Sequence, residues 1–178
     1  LELVTNSSNA DDRYTIESNI TLGNSDLSNI EEVRVAGLVG SLSTANLNMI
    51  SDSIKGINGN VTLKGKINNL YAGSVFGSFN ATNCEKIADS NLAISGNIVS
   101  DATITTASIG ALAGSNTGVV NIGNNLTIDN FTVGNTADPI TLTKDAIAGS
   151  YDENEIAPLS AGTIYAGGLI GKNSASVT

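Results

Sequence analysis

The sequence of 178 residues contains an internal repeat, which excludes most folds at once. Four similar segments share a late glycine, at Gly40, Gly77, Gly114 and Gly171. The first three glycines are 37 residues apart and the fourth follows after 57, which indicates an insertion of 20 residues. Such repetition is typical of proteins whose units stack, because one unit alone cannot bury its apolar face. The four segments are VRVAGLVGSL at 33–42, LYAGSVFGSF at 70–79, ASIGALAGSN at 107–116 and IYAGGLIGKN at 164–173.

The same spacing relates apolar positions outside these segments. Ile30 precedes Ile67 by 37 residues, and Ile20 precedes Ile57 by the same interval. A fainter copy over residues 122–128 lacks two residues. We therefore expect these apolar residues to occupy equivalent positions in successive units.

Each unit has the pattern of short strands. Apolar residues alternate with polar ones, as in Val61-x-Leu63, and turn-forming Gly, Asn and Asp separate the runs. The composition agrees, since 60 of the 178 residues are Asn, Ser or Thr while Pro numbers only 2. We expect about three strands per unit and no helix.

Stacking of such units predicts an all-β solenoid of about four 37-residue repeats with one inserted loop. We expect a single domain over residues 1–178, with repeats that end near 40, 77, 114 and 171. The insertion lies at about 134–160, and residues 1–13 are a polar candidate for the cap of one end.

Small residues recur in every unit and are expected to be structural. A small pair, such as Ala36-Gly37 or Gly73-Ser74, is followed by an apolar pair and then by glycine. We expect close approach of adjacent coils at these positions, and sharp bends with backbone angles that only glycine adopts easily. The glycines concerned are Gly37, Gly40, Gly73, Gly77, Gly110, Gly114, Gly167, Gly168 and Gly171.

The glycine pattern resembles the GLUG motif of bacterial surface and secreted proteins. The match is close at 168–171 and 37–40, whereas serine or alanine replaces the first glycine at 74–77 and 111–114. In that family the motif builds right-handed β-helical segments of adhesins and of regions upstream of immunoglobulin A peptidases. The resemblance implies a right-handed β-solenoid and a surface location, and it carries no catalytic residues.

Charge and composition exclude several classes of function. Lys and Arg number 8 against 17 Asp and Glu, so a net charge of −9 argues against nucleic acid as a partner. With no His and one Cys, the chain lacks Ser-His-Asp machinery, His-ligated metal sites and disulfides. No apolar run reaches the roughly 18 residues that span a bilayer, so we expect no membrane insertion by this segment.

The predicted insertion contains an acidic run, formed by Tyr151, Asp152, Glu153 and Glu155. Insertions of solenoids project from one face, and carboxylates are ligands that Ca²⁺ prefers. The functional interpretation is a ligand-contacting loop with a Ca²⁺ site. The alternative is a solvent-exposed loop that binds nothing. We expect no cofactor and no metal.

Two tyrosines, Tyr71 and Tyr165, occupy the same position of their repeats, where Arg34 and Ser108 stand in the other two. Aligned tyrosines are suited to a carbohydrate platform, because sugar rings stack on aromatic faces. The alternative is packing at a corner of the solenoid.

These observations favour a non-catalytic adhesin-type module, extracellular or on the bacterial cell surface. It would serve display and spacing, and make polyvalent low-affinity contacts with host or cell-surface glycans or proteins. Neighbouring domains of a larger surface protein are the other expected partners. One alternative is a carbohydrate-binding or carbohydrate-processing β-helix module, and another is a passive stalk without a partner.

Overall fold

The computed structural model describes residues 13–23, 29–47, 54–87, 91–122, 126–134, 139–142 and 161–178. These residues form strands and connections without a helix, so no helix in these ranges qualifies as a membrane span. The strands are β1 (Tyr14–Leu22), β2 (Ile30–Ala36), β3 (Val39–Leu47), β4 (Ile54–Leu63), β5 (Lys66–Gly73), β6 (Phe76–Cys84), β7 (Leu92–Ser100), β8 (Thr103–Gly110), β9 (Ala113–Asn116), β10 (Leu126–Gly134), β11 (Pro139–Leu142), β12 (Ala161–Gly167) and β13 (Ile170–Asn173).

The strands belong to three sheets. Sheet A has the order β1-β4-β7-β10-β11, sheet B the order β12-β8-β5-β2, and sheet C the order β13-β9-β6-β3. From β1 to β10 the chain visits sheets A, B and C in rotation, so neighbouring strands of a sheet are three strands apart in sequence. Among the described strands, pairing is parallel except between β10 and β11. This arrangement is consistent with a β-helix.

The strand register confirms the 37-residue spacing in sheets B and C. Ile30 of β2 pairs with Ile67 of β5, which pairs with Ile104 of β8. Across the insertion the offset becomes 57 residues, since Ala161 of β12 pairs with Ile104. Sequence periodicity therefore corresponds directly to stacking of equivalent residues.

The register expected for Ile20 is wrong. Ile20 pairs with Val61, and Ile16 pairs with Ile57, so β1 is offset from β4 by 41 residues. The extra four residues lie in the connection from β1 to β2, which is longer than the connection from β4 to β5. Such a connection tolerates added residues because its length does not alter the pairing of the strands.

The fainter copy in β10 pairs with β7 through an irregular register. Leu126 pairs with Leu92, and after a shift Phe131 pairs with Gly96. The residue before the resumed pairing, Asn130, has a φ of 51°, the left-handed conformation that asparagine tolerates better than most residues. A β-bulge thus absorbs the length difference between these two copies.

Parts of two predicted regions fall outside the described residues. Of the predicted cap 1–13, the structure describes Arg13 alone. Of the insertion 134–160, it describes Gly134 and β11, which pairs antiparallel with β10.

The core consists of aliphatic side chains that stack in register. Ile57 and Ile94, with 1% and 0% of their surface exposed, pair across β4 and β7. Phe76 and Phe79 pack with ring centroids 5.0 Å apart. Each large buried aliphatic side chain contributes about 2 kcal/mol through removal of apolar surface from water.

The last glycine of each repeat lies where a strand of sheet C crosses the backbone of sheet B. A Cβ atom on Gly40 would be 2.6 Å from the carbonyl oxygen of Arg34. On Gly77 it would be 2.7 Å from the backbone nitrogen of Val35, and on Gly171 it would be 2.7 Å from the carbonyl oxygen of Ile109. The expected close approach at these glycines is therefore confirmed.

The expected unusual backbone angles are not the reason for these glycines. The positive-φ glycines among the described residues are Gly23, Gly65 and Gly96, and all three lie outside the repeated motif. Space, not backbone conformation, requires glycine in the motif.

The small residue at the start of the motif lies against sheet A. A Cβ on Gly37 would be 2.6 Å from the Cα of Gly59, and one on Gly59 would be 2.7 Å from the Cα of Ser74. Gly167 and Gly168 are buried as well. Each repeat thus turns tightly because side chains are small on both sides of the turn.

We expect Gly114→Ala to destabilise the protein by about 3 kcal/mol through overpacking. The new Cβ would lie 2.6 Å from the carbonyl oxygen of Ser108 and 2.7 Å from that of Gly77. Gly56→Ala is the matched control, because its Cβ would lie 3.2 Å from the exposed Thr15 side chain and 3.7 Å from the nearest backbone atom, the carbonyl oxygen of Ala93. Its effect should stay within about 1 kcal/mol. Urea unfolding measures the free energy of unfolding of both variants. Equal losses of stability would contradict the close packing at Gly114.

Candidate functional site

A groove with a volume of about 350 Å³ lies between sheets B and C. Two columns of residues that lie in register along the stack supply part of its lining. The sheet B column is Arg34, Tyr71, Ser108 and Tyr165, from β2, β5, β8 and β12. The sheet C column is Ser41, Ser78, Ser115 and Lys172, from β3, β6, β9 and β13. Six of these residues line the groove, namely Arg34, Tyr71, Ser41, Ser78, Ser115 and Lys172.

The repeated glycines position the groove. Each residue of the sheet C column directly follows a motif glycine, as Ser41 follows Gly40 and Lys172 follows Gly171. The glycine brings the two backbones together, and the next side chain then faces the sheet B column where the sheets diverge. One short motif therefore builds both the turn and one wall of the groove.

Two cations lie over the two tyrosines. The guanidinium carbon of Arg34 is 5.7 Å from the ring centroid of Tyr71, and Lys172 Nζ is 5.2 Å from that of Tyr165. Cation–π contacts at such exposed sites contribute about 0.5–1 kcal/mol each. They also hold the half-buried rings in defined orientations. Tyr165 adjoins the groove through Lys172.

A chain of polar contacts orients Arg34. Its Nε is 2.8 Å from a carboxylate oxygen of Glu32, and its Nη1 donates to Ser41 Oγ at 3.3 Å. Ser41 and Ser78 in turn share a hydrogen bond of 2.9 Å. The wall of hydroxyl groups is thus continuous with the cation at its end.

Ser108 lies in register between Tyr71 and Tyr165, and it is completely buried. Its Oγ has no hydrogen-bond partner among the described residues. Because Ser108 occupies the strand between them, the two tyrosines are separated by two strand spacings, about 10 Å.

The structure confirms that Tyr71 and Tyr165 share one position of the repeat, with Arg34 and Ser108 in the same column. Their contact with a ligand stays a prediction. Sequence reasoning did not single out the opposite wall, although a signal was present. The residue after each motif glycine is Ser, Ser, Ser and Lys.

The second predicted site, formed by Tyr151, Asp152, Glu153 and Glu155, lies outside the described residues. Its Ca²⁺ site therefore stays a prediction. Within the described ranges, no group of three or more Asp, Glu, Cys or His residues is arranged to hold a metal ion.

Asparagine ladders line other parts of the stack. Asn60 Nδ2 donates to Asn19 Oδ1 at 3.0 Å, and the backbone nitrogen of Asn97 donates to Asn60 Oδ1 at 3.0 Å. On sheet C, Asn83 Nδ2 donates to Asn46 Oδ1 at 3.1 Å. These amides are used for contacts between coils, so the ladders are structural.

Cys84 pairs with Leu47 at the end of sheet C, as its place in the repeat predicts. The side chain is 8% exposed, and burial raises the pKa of the thiol, although a hydrogen bond with the backbone of Asn121 lowers it somewhat. A buried thiol with a raised pKa is a poor nucleophile. Its surroundings are therefore those of a packing residue.

No family model, curated protein or solved structure matches this chain. The groove between sheets B and C is therefore the feature that points to a function.

Alkylation of Cys84 by iodoacetamide should begin at a higher pH in the folded protein than in the urea-unfolded chain, because burial disfavours the thiolate. The same shift makes folding less favourable as the pH rises through the ordinary thiol pKa of about 8.5. Alkylation rates followed from about pH 7 to 10 test this. Coinciding profiles for the two states would contradict it.

Proposed function

We propose that this chain is a non-catalytic, adhesin-type binding module of a bacterial surface or secreted protein. The observation that carries the proposal is the groove between sheets B and C, where Tyr71 and the serine column face each other. It is an open, polar and aromatic surface of the kind that binds extended ligands. Its location would be extracellular or on the cell surface, next to other domains of a larger protein.

We infer that the three sheets form a right-handed β-solenoid of about four 37-residue repeats. The rotation of the chain through sheets A, B and C and the parallel pairing support this inference. Parallel crossover connections are right-handed in nearly all proteins. The resemblance of the glycine pattern to the GLUG motif points in the same direction.

The groove suits glycans or extended protein segments. Each half-buried tyrosine offers partly exposed aromatic surface and a phenol hydroxyl. Ser41, Ser78 and Ser115 offer hydroxyl groups that donate and accept hydrogen bonds. Single contacts of this kind are weak, so useful attachment requires many copies on one surface.

The chemistry of the lining favours binding over processing of a carbohydrate. The described lining residues are Ser, Thr, Asn, Leu, Phe, Tyr, Arg and Lys, without Asp or Glu. Glycoside hydrolysis generally uses a pair of carboxyl groups across the scissile bond. A carbohydrate-processing module is therefore the weaker alternative.

The proposal predicts that the double variant Tyr71→Ala/Tyr165→Ala loses at least about tenfold in affinity for a ligand found on glycan and extracellular-matrix arrays. Loss of two stacking contacts removes roughly 1–3 kcal/mol. Tyr14→Ala is the matched control, because Tyr14 is 58% exposed on β1 of sheet A. Thermal unfolding of each variant shows whether the fold is retained.

The arrays are run with calcium and with chelator to separate this site from the acidic run at 151–155. A reproducible ligand that binds both variants equally, or only with calcium, places binding outside the groove. Silence on every array favours the passive stalk. Either result overturns the proposed role of the groove.

A further inference from the structure

The groove carries positive charge at both ends although the whole chain is acidic. Arg34 lies at the first strand of the sheet B column, and Lys172 lies at the last strand of the sheet C column. We propose that the groove takes an acidic oligosaccharide, one whose sugar units carry carboxylate groups. This inference rests on the proposed binding function and names the chemical class of its ligand.

The spacing along the groove fits a short linear oligosaccharide. In order along the stack, Arg34 and Tyr71 line the groove, and Tyr165 adjoins it through Lys172 at the far end. Three strand spacings, about 14 Å, separate the two cations, and two spacings, about 10 Å, separate the tyrosines. A chain of three or four sugar units spans such a length.

Both cations retain capacity for an anionic group. The contacts of Arg34 with Glu32 and Ser41 use Nε and Nη1, and the Nη2 end of the guanidinium is directed to neither. Lys172 is exposed, and within the described part of the chain it forms no ion pair. A carboxylate that approaches between the walls meets these two cations and no carboxylate of the lining.

Because the whole chain is acidic, two cations beside one groove are evidence for the charge of its ligand. The chain has 8 basic residues against 17 acidic ones, and two of the basic residues lie on one groove. The remainder of an acidic surface repels an anionic ligand, so the groove is the place where an acidic sugar would be held. Such binding is sensitive to salt, because the charges are exposed and screened within about 10 Å at 0.1 M.

The test compares matched pairs of acidic and neutral ligands. The probes are tetragalacturonate, a hyaluronan hexasaccharide and 3′-sialyllactose, each beside its carboxyl-methyl ester, titrated into the full chain by calorimetry. We expect at least one acid to bind about tenfold more tightly than its ester at low salt, with the difference reduced at high salt.

Charge variants locate the effect in the groove. Lys172→Gln and Arg34→Gln should each weaken binding of the acid about threefold more than binding of the ester, as expected for loss of an exposed charge contact. Arg34→Lys should restore most of the affinity. Lys66→Gln is the matched control, because Lys66 is exposed on β5 at the start of the strand that carries Tyr71.

The outcomes separate this inference from the proposed function. Equal binding of acid and ester overturns the acidic ligand but keeps a glycan-binding groove. A protein ligand from the arrays that is lost in the tyrosine double variant, with no sugar bound, overturns the sugar and keeps the binding module. Failure of every ligand to respond to the groove variants overturns both.

Discussion

The backbones of sheet C and sheet B come into very close contact where the two sheets cross, and the groove depends on this contact. Backbone atoms of the two sheets come so near that a single methyl group on Gly77 or Gly114 has no space. A larger residue there would force the sheets apart, move the serine column away from the tyrosines and open the core beneath. The same contact therefore supports the stability of the stack and the shape of the groove between sheets B and C.

In-register stacking places residues of similar chemistry in one column. Ile57 and Ile94 form part of an apolar column, whereas Asn19 and Asn60 form part of a ladder of amides. In the groove column the residue type changes from strand to strand, from arginine to tyrosine to serine to tyrosine. A column that departs from uniformity is not required by stacking, and this variation distinguishes a candidate surface for recognition from structural ladders.

Much of the fold was predictable from the sequence because parallel stacking converts sequence period into spatial contact. The period placed Ile30 over Ile67 correctly, and it placed Cys84 beside Leu47. It failed for Ile20, because the length of a connection outside the strands left no mark in the repeat itself. The tyrosine column was also predictable. The serines of the facing column also recur at the period, but their place opposite the tyrosines depends on how tightly the chain turns between β2 and β3, which glycine packing determines.

The groove runs along the direction of stacking. Each repeat adds one strand to sheet B and one strand to sheet C beside it. The length of the groove is therefore counted in repeats. Insertion or loss of one 37-residue unit would change the length of the groove by one strand spacing, about 4.8 Å, and leave the rest of its lining unchanged. Duplication of a gene segment would thus lengthen the groove in discrete steps, whereas a pocket built from loops must be rebuilt as a whole.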